Sequence, residues 1–242
     1  MIAEQRSLNT AHINSFNRFL LDSTYKVLPS IEAMLGVSID SSNSSIDVSR
    51  AGDNENLKHV GSGSLYTVSS EIQGDLQGQM LLLMRSTDFR HLGEVMRPLL
   101  SLMFLSNLDT DLEVLDKRKP GWMLDDDDGS KGRAIYHDQM LDTLGEIGNL
   151  LIGVYSRGIY RISKVNSHHT APLVVRDPDQ KAIRNLQSSP GTAELFHLVI
   201  ENEFVMENKP VKLWCLISLT TGSFQHILDM IDLHCHGAVE RT

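Results

Sequence analysis

Residues 135 to 160 carry the pattern that most constrains the fold, because polar and apolar side chains recur there with a helical period. The apolar positions are Met140, Leu144, Ile147, Leu151 and Tyr155. The polar residues Asp142, Glu146 and Asn149 are spaced by four and then three residues, which places them within about 60° of one another on a helix. The spacing therefore predicts an amphipathic helix whose carboxylates and carboxamide point away from the core.

Three further residues belong to this polar side of the predicted helix. Asp138 and Gly153 lie on the stripe, and Gly145 flanks it. Each glycine costs a helix about 1 kcal/mol relative to alanine, which makes sense where another backbone must approach closely. We therefore expect Asp138, Gly145 and Gly153 to contact a partner. Every amphipathic helix has a polar face, however, so this helix alone favours a merely solvated surface.

The N-terminal half reads as a helix followed by strands and a second helix. Apolar residues recur with a helical period in residues 12–35 and stop at Gly36, with Pro29 expected to kink or break the helix. Residues 37–72 alternate loosely, and 72–84 form two short runs around two glycines, as strands do. A Ser-Thr-Asp sequence from Ser86 is typical of a helix start.

The C-terminal half repeats this order. Strand patterns follow the predicted motif helix, and they occupy residues 161–165, 172–175, 192–204 and 210–222 before a last helix over 223–236. Helices and hairpin-length turns in this order predict an α+β fold: two pseudo-repeated helix-plus-strands halves, with a mostly antiparallel sheet and long helices packed on it. We expect a single domain over residues 1–242.

A weak internal sequence similarity supports the duplication. When residues 21–34 are laid on residues 141–154, Asp22 matches Asp142, but Lys26 stands at the position of Glu146 and Pro29 at that of Asn149. The first copy therefore lacks the chemistry of the second, and we expect one site per chain.

Composition excludes several classes of function. The 242 residues include 31 acidic and 22 basic residues, and a net charge of -9 without a basic cluster argues against binding to nucleic acid. Two cysteines are too few for a disulfide framework, which fits a reducing compartment. The apolar stretches are too short to span a membrane and the N-terminus has no apolar signal core. We therefore expect a cytoplasmic protein with no membrane association.

Residues 107–133 lose all periodicity and are interpreted as an exposed loop insertion. They contain the acidic run 125–128, followed by Gly129. A calcium loop with this glycine at its sixth position would need carboxylates where Leu124 and Ile135 stand, so a solvated acidic loop fits better. His234 and His236 are two positions apart and therefore diverge by about 200° on a helix, so we expect no metal site there.

The polar helix and a downstream proline together resemble a known family. The pattern is Asp142, three residues, Glu146, two residues, Asn149, and then Pro172 after 22 more residues. It resembles the signature of the CheC and CheX group of chemotaxis phosphatases at all four positions. CheC-type proteins have the motif in both halves and CheX-type proteins in one, so the altered first copy is similar to the CheX side.

The resemblance implies a function and residue roles. It implies dephosphorylation of a CheY-like response regulator, with Asn149 orienting the attacking water and Glu146 pairing with the lysine of the regulator. Asp142 would support the face, and Pro172 would shape the turn beside it. No cofactor of its own is expected, since magnesium belongs to the partner regulator. CheX relatives form dimers, so the resemblance is compatible with a homodimer.

Two alternatives stay open. The same fold could serve as a non-catalytic module that binds a response regulator, as in flagellar switch complexes, or could hold an unrelated small ligand. His168 and His169 precede Pro172 and could line the rim of the site, although adjacent loop histidines are most often merely exposed.

Overall fold

The structure is a computed structural model that describes residues 8–50, 63–107, 130–177, 180–188 and 195–237. The helices are α1 (Thr10–Phe16), a π-helical turn (Asn17–Leu21), α2 (Asp22–Leu35), α3 (Ser86–Asn107), α4 (Ser130–Ser163), α5 (Lys181–Ser188) and α6 (Thr221–Gly237). The strands are β1 (Ser41–Arg50), β2 (Leu65–Gly74), β3 (Gly78–Arg85), β4 (Ser167–His169), β5 (Leu173–Asp177), β6 (Leu195–Met206) and β7 (Lys209–Thr220).

These seven strands form one antiparallel sheet. Its order is β1-β6-β7-β3-β2-β4, and β5 also pairs with β2, beyond β4 along the same edge. Strands β6 and β7 form a long hairpin in which Leu195 faces Thr220 and Met206 faces Lys209. The turn between them consists of Glu207 and Asn208, both with positive φ, as a two-residue hairpin turn requires.

The two faces of the sheet are covered unequally. One face packs under α1, α2, α4 and α6, where the side chains of β2, β3, β6 and β7 meet the apolar sides of the helices in one large core. The other face carries a smaller cluster around Trp214, which is covered by Ile183 of α5. The long helices therefore share one side of the sheet, which keeps α4 and its polar stripe at the surface of that layer.

The α+β class and the two-halved order predicted from the sequence are confirmed. A helix is followed by strands and a further helix in each half: α2 to α3 in the first, and α4 to α6 in the second. The predicted hairpin regions at 192–204 and 210–222 correspond to β6 and β7.

Several predicted boundaries are wrong. The helix continues through Pro29, and the deviation from α-helical geometry falls earlier, in the π turn at Asn17–Leu21. The expected strand at 161–165 is not formed, because α4 continues to Ser163 and ends where Lys164 adopts a φ of 57°. The predicted loop at 107–133 is too long, since residue 107 ends α3 and residues 130–133 begin α4; residues 108–129 lie outside the described residues.

Two short elements were not predicted. Strand β4 is only three residues long, and α5 interrupts the region between β5 and β6. The side chain of Asp177 explains the start of α5, because its carboxylate oxygens accept hydrogen bonds from the backbone N–H groups of Lys181 and Ala182, each at 2.7 Å. A carboxylate that caps a helix start in this way is a local signal in the sequence. It was missed because it directly follows a strand pattern.

Across the described residues, none of the helices combines the length and the hydropathy that crossing a lipid bilayer would require.

Candidate functional site

Helix α4 presents the predicted polar residues at the surface. Asp142, Glu146 and Asn149 are all exposed. The five apolar residues on the opposite side are buried, and they are Met140, Leu144, Ile147, Leu151 and Tyr155. The helix therefore has the orientation that the sequence predicts, with two carboxylates and one carboxamide directed outward.

Buried hydrogen bonds fix α4 against its neighbours. The hydroxyl group of Tyr155 lies 3.0 Å from Thr24 Oγ1 on α2 and accepts a hydrogen bond from Asn202 Nδ2 on β6 at 3.1 Å. Burial raises the pKa of the Tyr155 phenol, so the group stays neutral and serves as a hydrogen-bonding anchor. Because Tyr155 is six residues beyond Asn149, this network fixes the rotation of the helix that carries the site.

The N-terminal part of α4 has a second anchor. Tyr66 of β2 stacks on Phe89 of α3 with ring centroids 3.8 Å apart, and its hydroxyl group lies 3.2 Å from His137 Nε2. The next residue, Asp138, is 78% exposed. The polar stripe is therefore supported on both sides of the motif by contacts between α4 and the sheet or its neighbouring helices.

The connection between β4 and β5 runs beside the motif. A Cβ atom placed on Gly145 would lie 3.0 Å from Val174 Cγ2, and one placed on Gly153 would lie 3.9 Å from His169 Nε2. These two contacts are eight residues apart on the helix, or about 12 Å. The segment that joins them contains the half-buried Pro172, and the stretch of α4 between the two contacts contains Asn149.

The Pro172 segment is held to β2 by Thr170. The backbone N–H of Thr170 donates to the carbonyl of Glu71 at 3.0 Å, its carbonyl accepts from Ser70 Oγ at 2.7 Å, and its Oγ1 accepts from the Glu71 N–H at 3.0 Å. A proline two residues later fixes φ in the short connection between the two strands. The turn beside the site is therefore attached to the sheet at its start and stiffened at its end.

A third glycine, which the sequence analysis did not select, is the most tightly packed of the helix. A Cβ atom on Gly148 would lie 2.7 Å from Val68 Cγ1, closer than real Cβ atoms approach such neighbours. Gly148 therefore lets α4 lie close to β2. Gly145 and Gly148 are about one helical turn apart, and helical geometry itself requires no glycine at either position. This pair was the signal in the sequence that could have identified the contact.

The outward side chains are free to meet a partner. Among the described residues, Asp142, Glu146 and Asn149 make no hydrogen bond or ion pair through their side chains. At the C-terminal side of the motif, a Cβ atom on Gly153 would make ordinary van der Waals contacts, at 3.7 Å with Arg157 Nη1 and at 3.9 Å with His169 Nε2. A carboxylate and a carboxamide so placed can accept and donate hydrogen bonds to a group brought in from outside.

The other polar candidates are spread out. His169 is half-buried next to Gly153, whereas His168 is exposed on β4. His234 lies on α6, with its Nδ1 atom 2.6 Å from the carbonyl oxygen of Met230. Within the described ranges, no group of three or more histidine, cysteine, aspartate or glutamate side chains could hold a metal ion. The acidic run at 125–128 lies outside those ranges.

Comparison with solved structures identifies the fold, although no protein-family model and no curated protein sequence matches the chain. The crystal structure of FliY from Thermotoga maritima aligns with a TM-score of 0.58 and 14% identity, over 94% of this chain and 98% of that one. FliM in the FliM–SpeE complex from H. pylori aligns with a TM-score of 0.51 and 12% identity, over 93% and 97%. The chain has the fold of the CheC, CheX and FliM group.

CheX itself is also among the similar structures. The CheX–CheY–BeF3–Mg complex from Borrelia burgdorferi aligns with a TM-score of 0.44 and 14% identity, over 85% of this chain and 97% of that one. At these identities the similarity concerns the backbone arrangement of the CheC, CheX and FliM fold. The exposed residues of this chain, rather than the similarity of its backbone, indicate which reactions its surface can support.

Proposed function

We propose that the protein is a phosphatase that removes the phosphoryl group from the aspartyl phosphate of a CheY-like response regulator. One observation carries the proposal. Asp142, Glu146 and Asn149 are exposed together on one face of α4, beside the Pro172 turn and without internal partners among the described residues. A motif of this kind, on a fold shared with chemotaxis and flagellar proteins, is suited to act on a phosphorylated protein that supplies the remaining groups.

Asn149 is the residue to which we assign the attacking water. A carboxamide has both an acceptor and two donors, so it can hold a water molecule in one orientation. In the proposed step, the water oxygen attacks phosphorus as the bond to the aspartyl oxygen breaks. The products are inorganic phosphate and the free carboxylate of the regulator. Positioning of this kind lowers the barrier without a nucleophile from the phosphatase.

Glu146 is assigned to docking. It precedes Asn149 by three residues on the same face, about 4.5 Å along the helix axis. A carboxylate there can pair with a lysine beside the aspartyl phosphate of the regulator, in a charge-assisted hydrogen bond. Such a pair fixes the register between the two proteins, so that Asn149 lies opposite phosphorus.

The remaining predicted residues are assigned supporting roles. Asp142 and Asp138 extend the acidic surface toward the N-terminus of α4, and Gly153 keeps the opposite end of the motif open for the backbone of a partner. Gly145 and Pro172 keep the β4–β5 connection close to the helix. The protein needs no cofactor of its own in this proposal, because magnesium would be held by the regulator, and we place the reaction in the cytoplasm.

The second candidate function is a module that binds a response regulator without hydrolysing it. It is favoured by the similarity to FliM, which was crystallised in a complex with another protein, SpeE. The pair of Glu146 and Asn149 favours the enzyme instead, since a binding surface does not require a carboxamide that holds water. The two functions predict the same contact but different fates of the acyl phosphate.

The decisive experiment follows acyl phosphate on a panel of phosphorylated receiver domains from the same organism. Wild-type protein is expected to accelerate its loss from at least one of them, and Asn149→Ala is expected to abolish most of the acceleration while it retains binding. Asn43→Ala is the matched control, because Asn43 is an exposed asparagine on β1, at the opposite end of the sheet from β2 and β4.

The outcomes separate the candidates. Binding of a receiver domain without faster loss of phosphate would identify the binding module. Equal acceleration by wild type and Asn149→Ala would remove Asn149 from the mechanism. If no receiver domain is bound or dephosphorylated, both functions are wrong.

A further inference from the structure

The exposed side of α4 continues beyond the motif with the opposite charge. At 100° per residue, Arg157 and Tyr160 lie within about 60° of Asp142 and Arg161 lies about 100° away, whereas Lys164 follows Ser163, the last residue of the helix. All four are exposed, and Tyr160 is 47% exposed. The helix therefore carries acidic residues at one end of its outward face and basic residues at the other.

The basic end has no internal counter-charges in the described part of the chain. Arg157, Arg161 and Lys164 take part in no ion pair there. In a protein of net charge -9, three cations on one helix end are a local concentration of positive charge. Unpaired like charges repel one another, and an anionic surface brought against them relieves this repulsion.

A groove adds a fourth cation to this end. It has a volume of about 560 Å³ and lies between α1, the end of α4 and α6, where Arg161 and Lys164 face Arg18 of the π turn. Its apolar lining includes Phe19, Ile162 and Ile231. Arg18, Arg161 and Lys164 are all exposed beside this apolar lining. This arrangement suits the acidic surface of a protein better than a single small anion.

The spacing between the two ends matches one protein interface. Along the axis, the backbone of Arg157 lies about 12 Å and that of Arg161 about 18 Å from Asn149. The guanidinium group of Arg157 lies back beside Gly153, 3.7 Å from where a Cβ atom of that residue would be, which is about 6 Å from Asn149 along the axis. A standard interface covers about 800 Å² on each partner, which is a disc with a radius of about 16 Å. A partner centred on Asn149 therefore covers Arg157, and its edge falls about 2 Å short of the Arg161 backbone, a gap that the long side chain of Arg161 can bridge.

We propose that Arg157 and Arg161, with Lys164 and Arg18 beside them, form a second contact that selects the phosphorylated partner by an acidic surface that extends from about 6 to about 18 Å from its phosphorylation site, at roughly the spacing set by the helical rise. The inference rests on the proposed function, because it takes the partner to be the response regulator that docks on Asn149. Glu146 contacts the basic group near the phosphate, and the arginines contact acids at the far side. This two-ended arrangement fixes the direction in which the regulator lies along α4.

The acidic run at 125–128 of the same chain is not a suitable occupant. Five extended residues between Asp125 and Ser130 span at most about 17 Å. The helix from Ser130 to Arg161 is about 46 Å long. The run therefore cannot reach the basic end of its own α4.

The test measures binding separately from hydrolysis. Receiver domains activated with beryllofluoride are titrated against wild type and against the double variant Arg157→Glu/Arg161→Glu. The control is Lys26→Glu/Arg90→Glu, which changes the net charge equally at exposed residues of α2 and α3. We expect the α4 variant to bind about tenfold or more weakly at low salt, a loss that shrinks as salt is raised, and the control to bind as wild type.

Two results would overturn the inference. Equally weakened regulator binding in both variants would show a global effect of charge, and unchanged binding in both would show that there is no effect. The maximal rate at saturating regulator is expected to stay within about twofold in the α4 variant, since Asn149 is intact.

Sedimentation of the protein alone tests whether a second copy of the chain occupies the basic end instead. A salt-sensitive dimer that the α4 variant abolishes would make a second copy the occupant and would overturn the assignment to the regulator.

If no activated receiver domain binds the wild type, the inference and the proposed partner are both wrong. If the wild type binds and the α4 variant does not, but no phosphate is lost, the inference stands and only the catalytic part of the proposed function fails.

Discussion

Helices α2 and α4 occupy equivalent places in the two halves of the fold, and their buried sides correspond position by position. With a shift of 120 residues, four buried positions of α2 match buried positions of α4: Thr24 with Leu144, Val27 with Ile147, Ile31 with Leu151, and Leu35 with Tyr155. Leu20 of the preceding π turn matches Met140. The exposed sides differ. Asp22, Lys26 and Pro29 stand on α2 where Asp142, Glu146 and Asn149 stand on α4.

This difference shows that the fold and the proposed chemistry depend on separate sets of residues. The buried sides contribute to one core and must fit their neighbours closely. The exposed side chains contribute little to packing, so substitutions there leave the fold intact and change only what the surface can bind. One helix of the pair can therefore carry a site that its counterpart lacks.

The largest expected effect concerns the packing of α4 on β2. Gly148→Leu introduces the residue type that α2 has at the matching position, Leu28. Because a single Cβ atom at Gly148 would already lie 2.7 Å from Val68, we expect a loss of about 3 kcal/mol or more in the free energy of unfolding. Denaturant titration measures the loss. An unchanged transition midpoint would show that α4 accommodates a leucine at this position as α2 does, and would contradict the expected difference in packing.

The next effect concerns charge on the motif face. Glu146→Lys gives α4 the residue type found at Lys26, and we expect about tenfold or greater weakening of regulator binding, because an attraction to the partner lysine becomes a repulsion. Binding of a beryllofluoride-activated regulator measures it. Lys26→Glu on α2 serves as the matched control and is expected to bind as wild type. If both variants weaken binding equally, α2 contributes to the same surface.

A smaller effect is expected at Gly153, where α2 has Ala33. A Cβ atom at Gly153 would make only ordinary van der Waals contacts, with Arg157 and His169, so Gly153→Ala should raise the free energy of unfolding by up to about 1 kcal/mol through helix propensity. Thermal unfolding measures this gain. The same variant should weaken regulator binding if the backbone of a partner approaches here. A variant that is more stable but binds the regulator as wild type does would show that Gly153 is not part of the contact.

The smallest effect concerns a buried histidine outside both helices. Burial lowers the pKa of His197, which lies 2.8 Å from Ser218 Oγ. The folded state therefore binds a proton less readily than the unfolded state, so stability is retained at neutral pH and is lost as the pH falls below the ordinary histidine value of about 6.5. His197→Gln should flatten this loss between about pH 7 and pH 5, whereas His168→Gln on the surface should leave it unchanged.

The sequence was sufficient for the helical face because its period is local. The identities of Met140, Leu144, Ile147, Leu151 and Tyr155 define the buried side of α4 without knowledge of its neighbours. The same pattern placed Asp142, Glu146 and Asn149 outside. The class of the fold followed from the order of such segments, and its likeness to FliY and FliM structures agrees with that interpretation.

Long-range contacts could not be predicted in the same way. Nothing local identifies Val68 as the neighbour of Gly148, or Asn202 as the partner of Tyr155, because both contacts join segments far apart in the chain. The end of α4 was also misplaced, since Lys164 ends the helix in a left-handed conformation without a glycine. That error concealed the basic end of the stripe.

The central claim is that Asn149 positions the water that releases phosphate. It is tested most directly by the rate of phosphate loss from a phosphorylated regulator at saturating protein, for wild type, Asn149→Ala and Pro29→Ala. We predict a fall of about a hundredfold for Asn149→Ala and an unchanged rate for Pro29→Ala at the matching position of α2. Equal rates for wild type and Asn149→Ala would contradict the account.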